Sequence, residues 1–258
     1  MMRFACSIAL AFLLLGRLTS ASGQELGLAE LRIGMDPGNP PYTYVDEDGT
    51  FSGSDAEIAT ALCTELRARC KLVPVPFAQL IAALQERSID AIVSDMSVTR
   101  EREQLVDFTD IYRDVANRFV ARRHAGLDIS PEGLAGKQLG VKRSTVHDRY
   151  ATDQYGATAI IRRYSNVAEL FVDLALGRND AILVEVDPAR VGFLQTPLGA
   201  DCEFVGPEIS GERWFGTGIG IGVRKGDNAR REALNHALAA IRADGSYQRI
   251  ITRYFNSE

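Results

Sequence analysis

From Leu31 onward the chain alternates short apolar runs with amphipathic stretches. Leu31 to Gly34 reads as a strand that empties into the turn-forming residues Asp36, Pro37, Gly38, Asn39, Pro40 and Pro41. Ser54 with Glu57 three residues later has the form of a capping box, after which Ile58, Leu62 and Leu66 recur at helical spacing. A second helix is expected from Phe77, with Leu80, Ile81 and Leu84 inward, followed by a short buried strand over Ile89 to Val93. Such alternation predicts an α/β fold with parallel strands. Near the C-terminus, Gly218 to Val223 alternates glycine with isoleucine and valine as a strand would. The next helix buries Leu234, Leu238 and Ile241 and stops at Gly245, and a last short one carries Tyr247, Ile250, Tyr254 and Phe255.

The pattern also repeats. Leu84, Arg87 and the run Asp90, Ala91, Ile92, Val93, Ser94, Asp95 return ninety residues later as Leu174, Gly177 and Asp180, Ala181, Ile182, Leu183, Val184, Glu185. Each copy is a helix, an Asp-Ala turn into a buried strand, and an acid just past the strand. Leu139, Gly140 and Val141 likewise feed a polar turn, Lys142 to His147, much as Ile33 and Gly34 feed Asp36. Two similar lobes follow, with the tail returning to the first: residues 24–114 with 218–258, and residues 115–217. Crossovers near Arg113 to Ala116 and Phe215 to Ile219 would join them as a hinge. Open α/β sheets bind ligands beyond the carboxyl ends of their strands, so facing lobes would set Asp36, Asp95, Lys142 to His147 and Glu185 around one cleft.

The first residues have a different character. Met1, Met2 and Arg3 precede a twelve-residue apolar run, Phe4 to Leu15, and small residues from Thr19 to Gly23 follow. The run is well short of the roughly 20 residues that span a bilayer, so residues 1–23 are expected to be a cleaved export signal and the product soluble and periplasmic. Losing Arg3 and Arg17 takes the net charge from −5 to −7, a surface that does not suit nucleic acid. Cys63 and Cys70 lie seven residues apart in a chain bound for an oxidising compartment, which reads as a disulfide, with two buried thiols as the alternative. No second cysteine pair or nearby histidine completes a zinc set, and Cys202 has no evident partner. Gly218, Gly220 and Gly222 follow strict period two, which does not form a phosphate-binding turn. Neither a metal nor a cofactor is expected.

Several short motifs resemble one family when taken together. They are Ile33-Gly34-Met35-Asp36-Pro37, the Cys63 and Cys70 pair, Ile89-Asp90-Ala91-Ile92, Ser97-Val98-Thr99 followed by Arg102, and Asp107-Phe108-Thr109. Gly136-Lys137, Gly177-Arg178-Asn179-Asp180 and Arg242-Ala243-Asp244-Gly245-Ser246-Tyr247 complete the set. In these the chain is similar to the periplasmic polar-amino-acid binding proteins of ABC importers, family 3, especially the lysine, arginine, ornithine or histidine branch. The resemblance implies the type II two-lobed fold with its ligand cleft between the lobes, a monomer, an amino acid ligand and a membrane permease as partner.

The residues Arg100, Glu101, Arg102 and Glu103 alone read as an exposed helix on which Arg102 pairs with a nearby glutamate. Carried over by position, the resemblance implies instead that Arg102 clamps the ligand's α-carboxylate, aided by donors near Ser97 and in the turn at Thr145 and Val146. Glu185, with Asp95 on the opposite lobe, would hold the α-ammonium. Family members usually have aspartate and a small hydroxyl residue at these two positions. Asp36 and Asp55 stand where basic-residue binders place carboxylates for a distal cation, Ser94 belongs to the same set, and Phe77 would pack on the ligand's aliphatic part. Asn39 replaces a common aromatic, leaving room for a bulkier ligand such as an opine, and His147 replaces a common glutamine. With Arg102 as the main opposing charge, and the direction of Lys142 and Arg143 left open, the four acids favour an α-amino acid whose distal end is cationic.

Two other functions compete. The fold also supports cyclohexadienyl dehydratase, whose general acid Glu185 could imitate, since like charges in a closed site raise a pKa. An acidic cleft would repel that enzyme's acidic substrate, and the turn from Arg143 to His147 does not resemble its loop. No Gly-x-Ser-x-Gly motif occurs, and His124, His147 and His236 lack recognisable partners, so catalysis is not expected. A ligand-sensing subunit of a receptor is the other alternative, and it would require a separate membrane partner.

Overall fold

The computed structural model describes residues 30–255, so the export signal expected over residues 1–23 lies outside the described residues. The chain runs through β1 (Leu31–Met35), β2 (Gly38–Asn39), β3 (Thr43–Val45), β4 (Phe51–Ser52), α1 (Ser54–Glu65), β5 (Cys70–Pro74), α2 (Leu80–Gln85), β6 (Ala91–Ile92), α3 (Arg100–Glu103) and β7 (Val106–Phe108). It crosses into β8 (Asn117–Arg122), β9 (Gln138–Lys142), α4 (Val146–Tyr155), β10 (Ile160–Tyr164), α5 (Val167–Ala175), β11 (Ala181–Glu185), α6 (Val186–Ala189), β12 (Cys202–Ile209) and α7 (Glu212–Phe215). β13 (Gly222–Arg224), α8 (Asn228–Ala243) and α9 (Ser246–Phe255) bring it back. Two lobes result, one around the sheet β5-β1-β6-β13-β7 and one around β10-β9-β11-β8-β12.

Both sheets are mixed rather than parallel throughout. β5, β1 and β6 are parallel, as are β10, β9 and β11, but β13 and β8 run against their neighbours. These are the strands that follow the two crossovers. A chain arriving from the other lobe enters at the cleft, beside the carboxyl ends of the parallel strands, and must run away from it. Asn117 at the start of β8 accordingly pairs with Glu185 at the end of β11. Apolar side chains pack on both faces of each sheet, with Ile33, Leu62 and Leu238 against one face of the first and Leu80, Leu84 and Ile92 against the other. Leu170 and Ile182 on one face, with Leu139 and Leu183 on the other, do the same in the second. Strands covered on both sides read as continuous apolar runs, which is the pattern at Ile89 to Val93 and Ala181 to Val184.

The repeat has a hydrogen-bond basis. The Asp90 N–H donates to the Arg32 carbonyl at 2.7 Å while its carboxylate accepts from the Arg32 N–H at 3.2 Å. Asp180 does the same with Gln138, at 2.9 and 2.8 Å. Each aspartate therefore ties the start of its strand to the neighbouring one, and the helix before it ends in a positive-φ residue, Arg87 or Gly177.

Two local expectations fail for tertiary reasons. The Ser54 and Glu57 capping box does not form: Gly53 takes the cap position with φ 112°, and Glu57 instead accepts from Arg253 at 2.7 Å and Tyr254 at 2.8 Å on α9. A Cβ at Gly53 would lie 2.2 Å from the Tyr42 carbonyl oxygen, so only glycine passes there. The strand expected from Gly218 begins at Gly222, because Ile219 bridges Ser97 and Arg113 in the crossover instead.

Cys63 near the end of α1 and Cys70 at the start of β5 are joined by a disulfide, with Cα atoms 6.0 Å apart, while Cys202 is free and buried. Closing so short a loop restricts the unfolded chain by about 2–3 kcal/mol in the chain-entropy account. Replacing both cysteines by alanine is therefore expected to lower stability by about that amount in urea unfolding, and an unchanged midpoint would count against it.

Candidate ligand-binding cleft

The carboxyl ends of β1, β6, β9 and β11 converge where the lobes meet. A narrow cavity lies there, lined by Asn39, Phe77, Asp95, Ser97 and Arg102 from the first lobe and Lys142, Thr145, Val146, His147 and Glu185 from the second. Val167, Leu170, Leu183, Val184 and Pro188 complete its apolar wall. Ser94, Asp36 and Asp55 stand behind this lining. The lobes touch across the cleft through Lys142 with Asp36 and Arg149 with Glu101.

Arg102 is set by a short helix. The Thr99 side chain caps α3 by accepting from the Arg102 N–H, and the guanidinium donates to the Ser97 carbonyl at 2.9 Å and lies 5.3 Å from the centre of the Phe77 ring. The surrounding charges do not neutralise one another locally: Arg100 faces Glu212, Glu101 pairs with Arg149, and Arg102 has no carboxylate partner among the described residues. Burial, helped by nearby Arg149, draws its pKa down to about 10, which leaves it charged. Opposite, Thr145 caps the ten-residue helix α4, accepting from the Asp148 N–H at 3.3 Å and donating to the Lys142 carbonyl at 2.7 Å. The amide end of α4 at Val146 thus adds a partial positive charge near Arg102.

The acids meet a different arginine. Arg113 donates to Asp95, lies 3.6 Å from Glu185, and places its guanidinium 3.8 Å from the centre of the Tyr42 ring. Asp95, held at φ 52°, also accepts from the Asn39 amide at 2.9 Å, and its N–H donates to Asp55 at 2.7 Å. Asp55 is fully buried beneath the cleft, where it anchors the Asp95 backbone. Burial, then the neighbouring Asp95, pushes Glu185 up to about 8; burial likewise raises Asp55 to about 6. Glu185 Oε2 has no hydrogen-bond donor among the described residues.

Asp36 donates its N–H to Ser94 Oγ at 2.8 Å and receives the Lys142 ammonium with its carboxylate.

The sequence model of the bacterial extracellular solute-binding proteins, family 3, matches residues 31–257. The chain belongs to this family. It is 40% identical over 227 residues to the L-arginine-binding protein of Pseudomonas aeruginosa, covering 88% of each chain. It is 33% identical over 251 residues to the lysine/arginine/ornithine-binding periplasmic protein of Escherichia coli K12, covering 97% of this chain and 96% of that one. A solved periplasmic binding protein of Salmonella typhimurium, described as having high arginine specificity, superposes with a TM-score of 0.78 at 29% identity, covering 88% and 99% of the two chains. The fold is the type II two-lobed fold of these periplasmic binding proteins, and these relatives are binding proteins rather than enzymes.

Within this solute-binding cleft the expectation that Arg102 is the main opposing charge needs correction. Arg113 and Lys142 are both buried there, and between them they engage Asp36, Asp95 and Glu185. Sequence reading missed Arg113 because it lies in a crossover, where no strand or helix period says which way a side chain points. Its one signal was a charge set among Ile111, Tyr112 and Val115. His147 is buried, with its Nε2 2.7 Å from Asn117 Oδ1, and burial, then the nearby Lys142 and Arg102, lowers its pKa to about 3, which favours the neutral imidazole.

Proposed function

We propose that the protein captures a polar α-amino acid outside the cytoplasmic membrane and passes it to the permease of an ABC importer. The observation that carries this is Arg102, a charged guanidinium lining the cavity with no carboxylate partner among the described residues, opposite an acid whose Oε2 has no donor among them. The ligand's α-carboxylate would complete the arginine fork and its α-ammonium would reach Glu185 and Asp95. Phe77 offers a face for methylene groups, and Asp36 lies beyond it for a distal cation. Relatives named for arginine, histidine and lysine/arginine/ornithine binding support a cationic side chain, and the carboxylates of the cleft support it also. A larger opine-like derivative is the nearest variant of this reading.

Capture requires the cleft to open and close. We place the first lobe at residues 24–114 and 218–258 and the second at 115–217, with export of a cleaved, monomeric product. The crossover at Gly216 and Gly218, both at positive φ, is where the backbone can turn: a Cβ at Gly216 would lie 2.0 Å from the Val98 carbonyl oxygen. Closure around the ligand would then report occupancy to the permease. No helix among the described residues is long and apolar enough to cross a membrane, which fits a carrier that works with a separate permease.

Calorimetry with arginine, lysine, ornithine, histidine, glutamine and glutamate tests the proposal. The expected order places arginine, lysine and ornithine ahead of histidine and well ahead of glutamate, with a smaller radius of gyration at saturation. Absence of binding to every amino acid would sink the capture reading, and glutamate as the tightest ligand would sink the cationic preference.

A further inference from the structure

Lys142 belongs to the second lobe, yet its ammonium lies among three groups of the first. It donates to the Asp36 carboxylate, sits 3.4 Å from the Gly38 carbonyl oxygen, and lies 5.5 Å from the centre of the Phe77 ring. Only 7% of its side chain is exposed. A carboxylate, a carbonyl and an aromatic face are together what the distal ammonium or guanidinium of a ligand would need. Asp36 is thus already matched by a cation from within the chain.

We propose that Lys142 is a specificity-determining residue of the cleft, a tethered competitor that a cationic side chain must displace from Asp36 and that a neutral polar side chain leaves in place. The proposal rests on the amino-acid-capture reading. Displacement exchanges one buried charge pair for another, so the net advantage of a cationic ligand over a neutral one is compressed. Without the ammonium, Asp36 would be a buried carboxylate with no cation, and a ligand's distal charge would recover the full pairing. The expected widening of discrimination is about ten- to hundredfold, the range of one charged hydrogen bond.

Lys142 also bridges the lobes, so its removal changes the free energy of closure for every ligand. The ratio of two dissociation constants cancels that shared effect. The experiment is calorimetry of arginine and glutamine against the mature protein and its Lys142→Met, Lys142→Arg and Lys142→Met/Asp36→Asn variants. Preference for arginine over glutamine should rise at least about tenfold in Lys142→Met, stay within about twofold of the parent in Lys142→Arg, and fall back in the double variant. Lys142→Gln, neutral but still able to donate to Asp36, reads the same ratio should the methionine variant not fold. An unchanged preference in a folded, charge-neutral variant overturns the competitor role while leaving amino-acid capture intact. A parent protein that binds neither ligand overturns both.

Discussion

Replacing Arg102 by alanine is expected to weaken binding of every α-carboxylate ligand by about 10²–10³-fold or more. Removing one partner of a desolvated, hydrogen-bonded charge pair costs about 2–5 kcal/mol, largely because the other charge is left unpaired. Arg102 carries no ion pair to a carboxylate among the described residues, so the unliganded variant should unfold close to the parent. Loss of binding without loss of stability is the signature of a ligand anchor. Arg102→Lys should recover only part of the affinity, since an ammonium cannot present a planar fork to a carboxylate. Calorimetry and thermal unfolding of the two variants check this. Binding retained within about tenfold in the alanine variant would place the anchor elsewhere.

Arg113→Met should act in the opposite way, on stability, and depend on pH. Arg113 is the cation among Asp95, Glu185 and Asp55, and its loss leaves three clustered acids to repel one another. Breaking a buried pair from one side costs about 3–5 kcal/mol. The parent already shows the sign of the pH effect. Glu185 and Asp55 titrate at about 8 and about 6 in the folded protein, above their ordinary values of 4.5 and 3.8. Across that window the folded state holds protons that the unfolded state has released, so these two groups lower stability as pH rises, up to about pH 8. Removing Arg113, which opposes both shifts, raises the folded values further. The deficit of Arg113→Met should therefore be largest near pH 8 and smaller near pH 5, where Glu185 and Asp55 are protonated. Urea unfolding of both proteins at the two pH values measures it. A deficit that does not shrink on acidification would show that Arg113 stabilises by packing on Tyr42 rather than by charge.

The same charges show why parts of the site were legible and others were not. Arg102 stands in a local motif, with Thr99 capping its helix and Ser97 accepting its side chain, all within five residues. Taken alone, the run Arg100, Glu101, Arg102 and Glu103 reads as a solvated helix face, and only the family resemblance singled Arg102 out. Asp36 and Lys142 are 106 positions apart, and nothing local says that they meet. A count of acids in the cleft therefore overstated its negative charge. Nor does anything local say that Asp55, buried with the start of α1 under the cleft floor, accepts from the Asp95 N–H 40 positions on.

By itself the sequence determined the two α/β lobes, their internal repeat and the short disulfide loop. Apolar period, an aspartate that locks the start of a strand, and a seven-residue cysteine spacing all act within one element or between neighbours. The tertiary structure decided the direction of β8 and β13, the replacement of a capping box by contacts from α9, and the pairing of every cleft charge. Those outcomes depend on how segments from opposite lobes approach. A buried charge must find its counterpart wherever the fold brings one within reach, and chain order carries no record of that distance.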